Sequence, residues 1–371
     1  MKKLVVTDDW SPSEIYSTMG CRTVNGLDIN FKETYESYIK ALIKGETPRM
    51  DLTSALQKDG RGNICPVTII LPTIAMEADE MFVTAAERGS DEYKKAHVES
   101  FFELLDKKME EAKDMLIERF NWICKQDMRS AKFMYENHTM AGYVPEEGIK
   151  SALKHGTLTI GLLGLAETLQ LLVDCDQTEP EGFELGVKIA DYWVKKCNEY
   201  KEKYKLNFAS YWTPSENLCY TAMKKFIARY GVIKNVSDKS YFTNSVHVPV
   251  WKDMDPFEKA DIESHFANKG KGGTIFYAEF PSTAKHNTEA LEAFVKYCLD
   301  LDIPYIAINT PNDCCEDCGY QDEINDVCPK CGSDNISRLR RVTGYLSGDY
   351  KTAFNVGKQE EVEHRVKHIK N

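Results

Sequence analysis

The chain has 371 residues, 42% hydrophobic and 28% charged, the make-up of a soluble globular protein with room for one large domain or two ordinary ones. No apolar run approaches the ~18 residues of a membrane span, and MKKLVVTDDW reaches two aspartates with no apolar core, so no secretory signal is read and a cytoplasmic location is expected. A net charge of -11 argues against a general nucleic-acid binder, which needs a basic surface, yet leaves room for a nucleotide held locally by a few donors.

Residues 1–62 are polar and loop-rich, with a helix expected through ETYESYIKALIKG (33–45). PVTIILP, Pro66 to Pro72, is a β-branched apolar run between prolines and predicts a buried strand. A long amphipathic helix is expected from Asp91 to about Gln126, with Phe101, Leu105, Met109, Ala112, Leu116 and Phe120 on one face. HGTLTIGLLGLAETLQLLVD (155–174) reads as an apolar helix whose Gly161, Gly164 and Ala166 allow close packing. LGVKIADYWVKKCNEYKEKY is a further helix. TPSENLCYTAMKKFIARYG (213–231) opens on a hydroxyl beside a proline, a helix-start signal. GGTIFYAEF, TEALEAFVKYCLDLD and IPYIAINTP read as strand, helix, strand, a parallel α/β unit.

Twelve cysteines are many for an intracellular chain, and five of them lie between Cys314 and Cys331, so metal or thiol chemistry is the first reading. Cys315-Glu-Asp-Cys318 and Cys328-Pro-Lys-Cys331 are two C-x-x-C knuckles, each turning two thiolates toward one point, and four thiolates make a tetrahedral zinc site. An iron–sulfur cluster is the alternative. The glycine after each pair relieves a tight turn. Cys314 is a spare neighbour outside the register. Cys124, Cys175, Cys197 and Cys298 read as ordinary thiols in helices. Cys65 and Cys219 stand near motifs without an assigned role.

Taken in order, STMGCRT, GRGNICPVTIILP, HGTLTIGLLGLAE, TPSEN, YFTNSVHVPV, IAINTP, the double knuckle, RRVTGYL and FNVGKQEEVEHRVKH resemble the anaerobic (class III) ribonucleoside-triphosphate reductases, a glycyl-radical family. The resemblance covers nearly the whole chain and is most specific over its last 70 or so residues. It implies an α/β fold: the C-terminal part of a ten-stranded glycyl-radical α/β barrel with a relay finger loop, a small four-cysteine zinc ribbon and a C-terminal radical loop. The implied division is 1–310 for the partial barrel, 311–335 for the knuckle and 336–371 for the radical loop and tail.

The resemblance also implies roles. Gly344 is the radical site: without Cβ its Cα radical can flatten and share spin with both flanking amides. Alone, RVTGYL reads as a turn glycine. The family puts the relay on Cys21, whose S–H bond is comparable to the glycyl Cα–H bond, so hydrogen moves either way. Glu216 and Asn63 are candidates for acid–base help as the ribose 2′-hydroxyl leaves. From the residues alone Glu216 reads equally as a first-turn glutamate favoured by the helix dipole. Thr213 and Ser215 are candidates for holding phosphate oxygens. His155 and His247 read as structural. The implied ligands are Zn²⁺ on Cys315, Cys318, Cys328 and Cys331, and a ribonucleoside triphosphate. An S-adenosylmethionine/iron–sulfur activase would install the radical.

The family pattern begins near Cys21, so a separate N-terminal reductase chain is expected to complete the barrel, a truncated product being the alternative. The assembled enzyme is expected to be a homo-oligomer, without membrane or nucleic-acid partners. Two other readings stay open: a different glycyl-radical enzyme, such as a formate acetyltransferase-like one, and a non-catalytic zinc-ribbon interaction protein. Adjacent catalytic cysteines, common in the former, are missing outside the knuckle, and the long tail speaks against the latter.

Overall fold

The computed structural model of the protein describes residues 22–23, 28–30, 40–46, 62–81, 89–137, 139–140, 142–324, 326–347 and 349–368. Cys21 lies outside them, as does the helix expected at 33–45 apart from a helical stretch at 40–43. Among the described residues no helix is long and apolar enough to cross a membrane.

Strand β1 (Asn63–Ile70) covers the apolar run expected there, its β-branched residues suiting a pleated chain. Leu71 begins helix α1 (Leu71–Met81), with Pro72 in its first turn, where a missing N–H does no harm. Helix α2 (Asp91–Cys124) is capped by Ser90, whose Oγ accepts from Tyr93 N at 3.2 Å. Phe101, Leu105, Met109, Ala112, Leu116 and Phe120 are all buried, so the stripe read from the sequence is the face that packs on β1 and α1.

Residues 155–174 overturn an expectation. They are not one helix: Thr157–Leu163 is strand β2, buried along its whole length, and only Leu165–Val173 is helix α3. A strand covered on both faces shows no polar alternation, so in sequence it looks like a buried helix. Gly164, at φ 80°, makes the break. Helix α4 (Pro180–Tyr204) follows as expected, then strand β3 (Asn207–Tyr211). The three strands form a parallel sheet in the order β1-β2-β3. The main core lies between this sheet and α1–α4, where buried Trp193 donates its indole N–H to Ile160 O at 2.9 Å. Cys175 sits in the loop after α3, not in a helix as expected, although it is buried like Cys197 and Cys298.

Helix α5 (Asn217–Tyr230) begins at Asn217 and not at Pro214, a second correction. Helix α6 (Pro256–Ala267) leads to β4 (Phe276–Glu279), α7 (Thr288–Asp300) and β5 (Ile306–Asn309), and β4 and β5 pair in parallel as expected. Strands β6 (Asn312–Cys315), β7 (Gln321–Asp322), β8 (Ile336–Val342) and β9 (Tyr345–Ser347) form an antiparallel sheet in the order β7-β6-β8-β9. Helix α8 (Val356–His364) completes the described chain. Because β8 pairs with β6 on one side and β9 on the other, the cysteine knuckles and RRVTGYL are joined by one strand.

Candidate functional site

Val342 pairs with Tyr345, so Thr343 and Gly344 are the two-residue turn of the β8–β9 hairpin. Such a turn needs a positive φ. That torsion falls on Thr343, at φ 53°, while Gly344 is not among the positive-φ residues. The glycine is needed for another reason. A Cβ at Gly344 would stand 2.7 Å from Glu216 Oε1 and 3.5 Å from an Arg22 guanidinium nitrogen. A carboxylate and a guanidinium from two distant segments therefore converge on one side of an exposed glycine.

Glu216 is the N-cap residue of α5, at φ 49° and ψ -119°, and its side chain does not cap its own helix. It is thus not the first-turn glutamate of the alternative reading. A non-glycine residue in this region carries ~1–3 kcal/mol of strain, here spent on aiming the carboxylate at the hairpin. The Tyr345 phenol lies beside Glu216, whose carboxylate pushes its pKa up. Lys358 Nζ lies 3.7 Å from the centroid of the Tyr345 ring and donates to Asn217 Oδ1 at 2.9 Å. Lys358 is buried, and desolvation lowers its pKa despite the pull of Glu216.

Cys21 lies outside the described residues, but the two residues after it are placed. Arg22, at φ 60°, faces Gly344 as above. Thr23 Oγ1 donates to Gly272 O at 3.0 Å, and the same carbonyl accepts from Asn63 Nδ2 at 2.6 Å. The segment behind Cys21 is therefore pinned to the start of β1. Asn63 Oδ1 is buried and has no hydrogen-bond partner among the described residues. Thr213 and Ser215 are buried with their hydroxyls turned inward. Thr213 Oγ1 lies 3.1 Å from Thr68 Oγ1, in the space a Gly161 side chain would fill, and Ser215 Oγ donates to Thr213 O at 3.2 Å. A phosphate would have to displace these internal partners.

The Sγ atoms of Cys315, Cys318, Cys328 and Cys331 all lie within 4.8 Å of one another, with Cys315–Cys331 at 3.5 Å and Cys318–Cys328 at 3.6 Å. Tetrahedral ligands at about 2.3 Å from one ion stand about 3.8 Å apart, so the four sulfurs fit a single ion. Gly319 and Gly332, at φ 69° and 77°, close the two knuckle turns as expected. Cys314 lies outside the group. Buried Asp313 ties this sheet together: its carboxylate pairs with Arg340 and accepts from Ile324 N at 2.9 Å.

The tail locks the hairpin from behind. Arg365 donates to Arg341 O at 2.5 Å and pairs with Glu361 at 2.9 Å and Glu279 at 3.5 Å. Arg341 Nε donates to Thr343 O at 3.1 Å. His155 and His247 are each buried against a carboxylate, Asp28 at 2.6 Å and Glu263 at 2.9 Å. Sequence reasoning missed Arg22 against Gly344, Tyr345 beside it, and Lys358 and Asn217 around that tyrosine. The first two stand beside quoted candidates, but nothing in the sequence folds Lys358 back onto Tyr345.

The family model described as anaerobic ribonucleoside-triphosphate reductase matches residues 3–368. The anaerobic ribonucleoside-triphosphate reductase of Escherichia coli is 33% identical over 330 residues, covering 84% of this chain and 43% of that protein. Among solved structures, an anaerobic ribonucleotide reductase superposes with a TM-score of 0.66 at 21% identity, covering 85% of this chain and 46% of the other. The Thermotoga maritima anaerobic ribonucleotide reductase does so with a TM-score of 0.62 at 21% identity, covering 82% and 45%. The chain thus spans under half the length of these proteins.

Proposed function

The chain belongs to the anaerobic ribonucleoside-triphosphate reductase family, and from that premise we propose that it is the C-terminal catalytic part of such a reductase. On this reading β1–β5 belong to a ten-stranded α/β barrel completed by a separate N-terminal chain, the knuckle forms a zinc ribbon, and the complex works in the cytoplasm. The observation that carries the reading is the convergence of Glu216 and Arg22 on the face of Gly344. A glycine that a turn does not require stands where the chain after Cys21 meets it.

Gly344 stores the radical, installed by a radical S-adenosylmethionine activase. It exchanges a hydrogen atom with Cys21, and the Cys21 thiyl takes the 3′-hydrogen of a bound ribonucleoside triphosphate. The 2′-hydroxyl leaves as water, with Glu216 moving a proton and the free Asn63 Oδ1 accepting from a ribose hydroxyl. The net change replaces hydroxyl by hydrogen, so two electrons and two protons enter from a reductant such as formate or a dithiol protein. Thr213 and Ser215 bind phosphate by exchanging their internal partners. Zn²⁺ on Cys315, Cys318, Cys328 and Cys331 has a structural role, holding the root of β8.

The test is spectroscopic. The chain with its N-terminal partner, activase, S-adenosylmethionine and reductant should show a glycyl signal by electron paramagnetic resonance, and air should then cut the chain at Gly344. Gly344→Ala should lose both, while Cys21→Ser should keep the signal and lose turnover. Normal turnover by Cys21→Ser would sink the relay assignment.

A further inference from the structure

Two parts of the β8–β9 hairpin are held in different ways. Its base is apolar: Val342 is fully buried in a cluster with Tyr350, Phe354 and Val362. Its tip is not. Gly344 is exposed and Leu346 is 65% exposed, and only three residue pairs join β9 to β8. Tyr345 is the tip residue with specific partners on both sides. Its hydroxyl meets Glu216 and its ring lies under Lys358 Nζ. Both partners end on adjacent residues, because Lys358 is anchored on Asn217 at 2.9 Å and Asn355 donates to the same Oδ1 at 2.8 Å.

We propose that Tyr345 and Lys358 are positioning residues for the radical site, forming a polar clamp that holds Gly344 docked against Glu216. This rests on the reading of Gly344 as the radical residue. Glu216 and Arg22 crowd one side of the docked glycine, so lifting the tip bares that side to an activase. The clamp is what must open. The contacts are polar and reversible, while the apolar base keeps the hairpin's root in place. Opening parts the phenol from the Glu216 carboxylate and withdraws the ring from the ammonium group. It leaves the β6–β8 pairing untouched.

The inference has a readout independent of radical chemistry. Backbone amide exchange is measured on the full chain and on two variants, Tyr345→Phe, which removes only the hydroxyl, and Lys358→Met, which keeps an unbranched stem. Exchange at Gly344, Tyr345 and Leu346 should speed up about tenfold, the effect of one lost polar contact with a charged group. Amides of α5 and of the β6–β8 pairing should be unchanged. With activase present, the Tyr345→Phe glycyl signal should also grow in faster, and turnover per radical should fall. Unchanged exchange at the tip in Tyr345→Phe, or equal acceleration throughout β6 and β8, overturns the clamp. Faster tip exchange with no glycyl signal in any form supports the clamp and removes the radical reading instead.

Discussion

At Gly344 the backbone does not use the torsional freedom for which turn glycines are usually kept; Thr343 carries the positive φ. What glycine supplies is room for the Glu216 carboxylate and the Arg22 guanidinium. Because the nearer obstacle is the end of a flexible side chain, Gly344→Ala is expected to displace Glu216 and leave the fold intact, with a stability change within about 1 kcal/mol by thermal melting. Glu216 also sets the chemistry of its neighbour. Its negative charge disfavours the ionised phenol of Tyr345, so the tyrosine pKa is raised. Glu216→Gln keeps the shape of the side chain and removes its charge. Tyr345 should then ionise at lower pH than in the parent, read as the ultraviolet difference spectrum against a Tyr345→Phe background. An unshifted titration would show that the carboxylate is not engaged with the phenol.

Between residue and fold, the tail and the β7-β6-β8-β9 sheet decide whether the hairpin stays in place. His368 Nδ1 accepts from Glu279 N at 2.8 Å, and His368 N donates to Glu279 O at 2.9 Å, so the tail is laced to β4. The accepting nitrogen must be unprotonated. Burial, with Lys259 and Arg365 adding to it against Glu263, pushes the His368 pKa down to about 3. Above about pH 6.5 docked and free imidazole are both neutral and docking is pH-independent. As pH falls from there toward 3, the free tail binds a proton that the docked tail refuses, so docking weakens. Tail amide exchange should rise on acidification, and His368→Asn, which keeps an acceptor, should flatten that rise. On the zinc reading, the other end of the sheet depends on metal. The purified chain should hold about one zinc, and Cys318→Ser should release it and loosen β6 and β8, measured by elemental analysis and amide exchange. A parent chain free of metal but with β8 fully protected would contradict this.

For the whole molecule, length and sheet edges point the same way. The chain covers 43% of its E. coli relative. Its three-stranded sheet ends on β1, which is mostly half-buried where β2 is buried throughout, and no strand pairs with the outer edge of β1 among the described residues. An open parallel edge invites another strand. On the proposed reading, ribonucleotide reduction is expected from the chain assembled with a polypeptide that covers this edge, and co-expression of the two should yield a soluble complex by gel filtration. Robust reduction by this chain and its activase alone would refute the need for a partner.

The amino-acid sequence by itself determined the local elements with strong periodicity, such as the stripe on α2 and the β4–α7–β5 unit, and it picked out the four cysteines whose sulfurs converge. In these cases spacing along the chain is also spacing in space. It also singled out Gly344, by the company it keeps in RRVTGYL. It misjudged residues 155–174, because burial on both faces erases the periodicity that separates strand from helix, and it started α5 too early, because a hydroxyl beside a proline looks like a cap wherever it stands. Only the tertiary structure decided what stands against Gly344. Glu216 lies 128 residues before it and Arg22 a further 194 before that, so their meeting depends on the whole fold and leaves no short-range mark. The same holds for Lys358 over Tyr345: the short helical turn at Tyr350–Ala353 and the packing of α8 on α5 bring the ammonium group back to the ring, and that return is set by burial of Phe354 and Val362 with Val342, not by the motif itself.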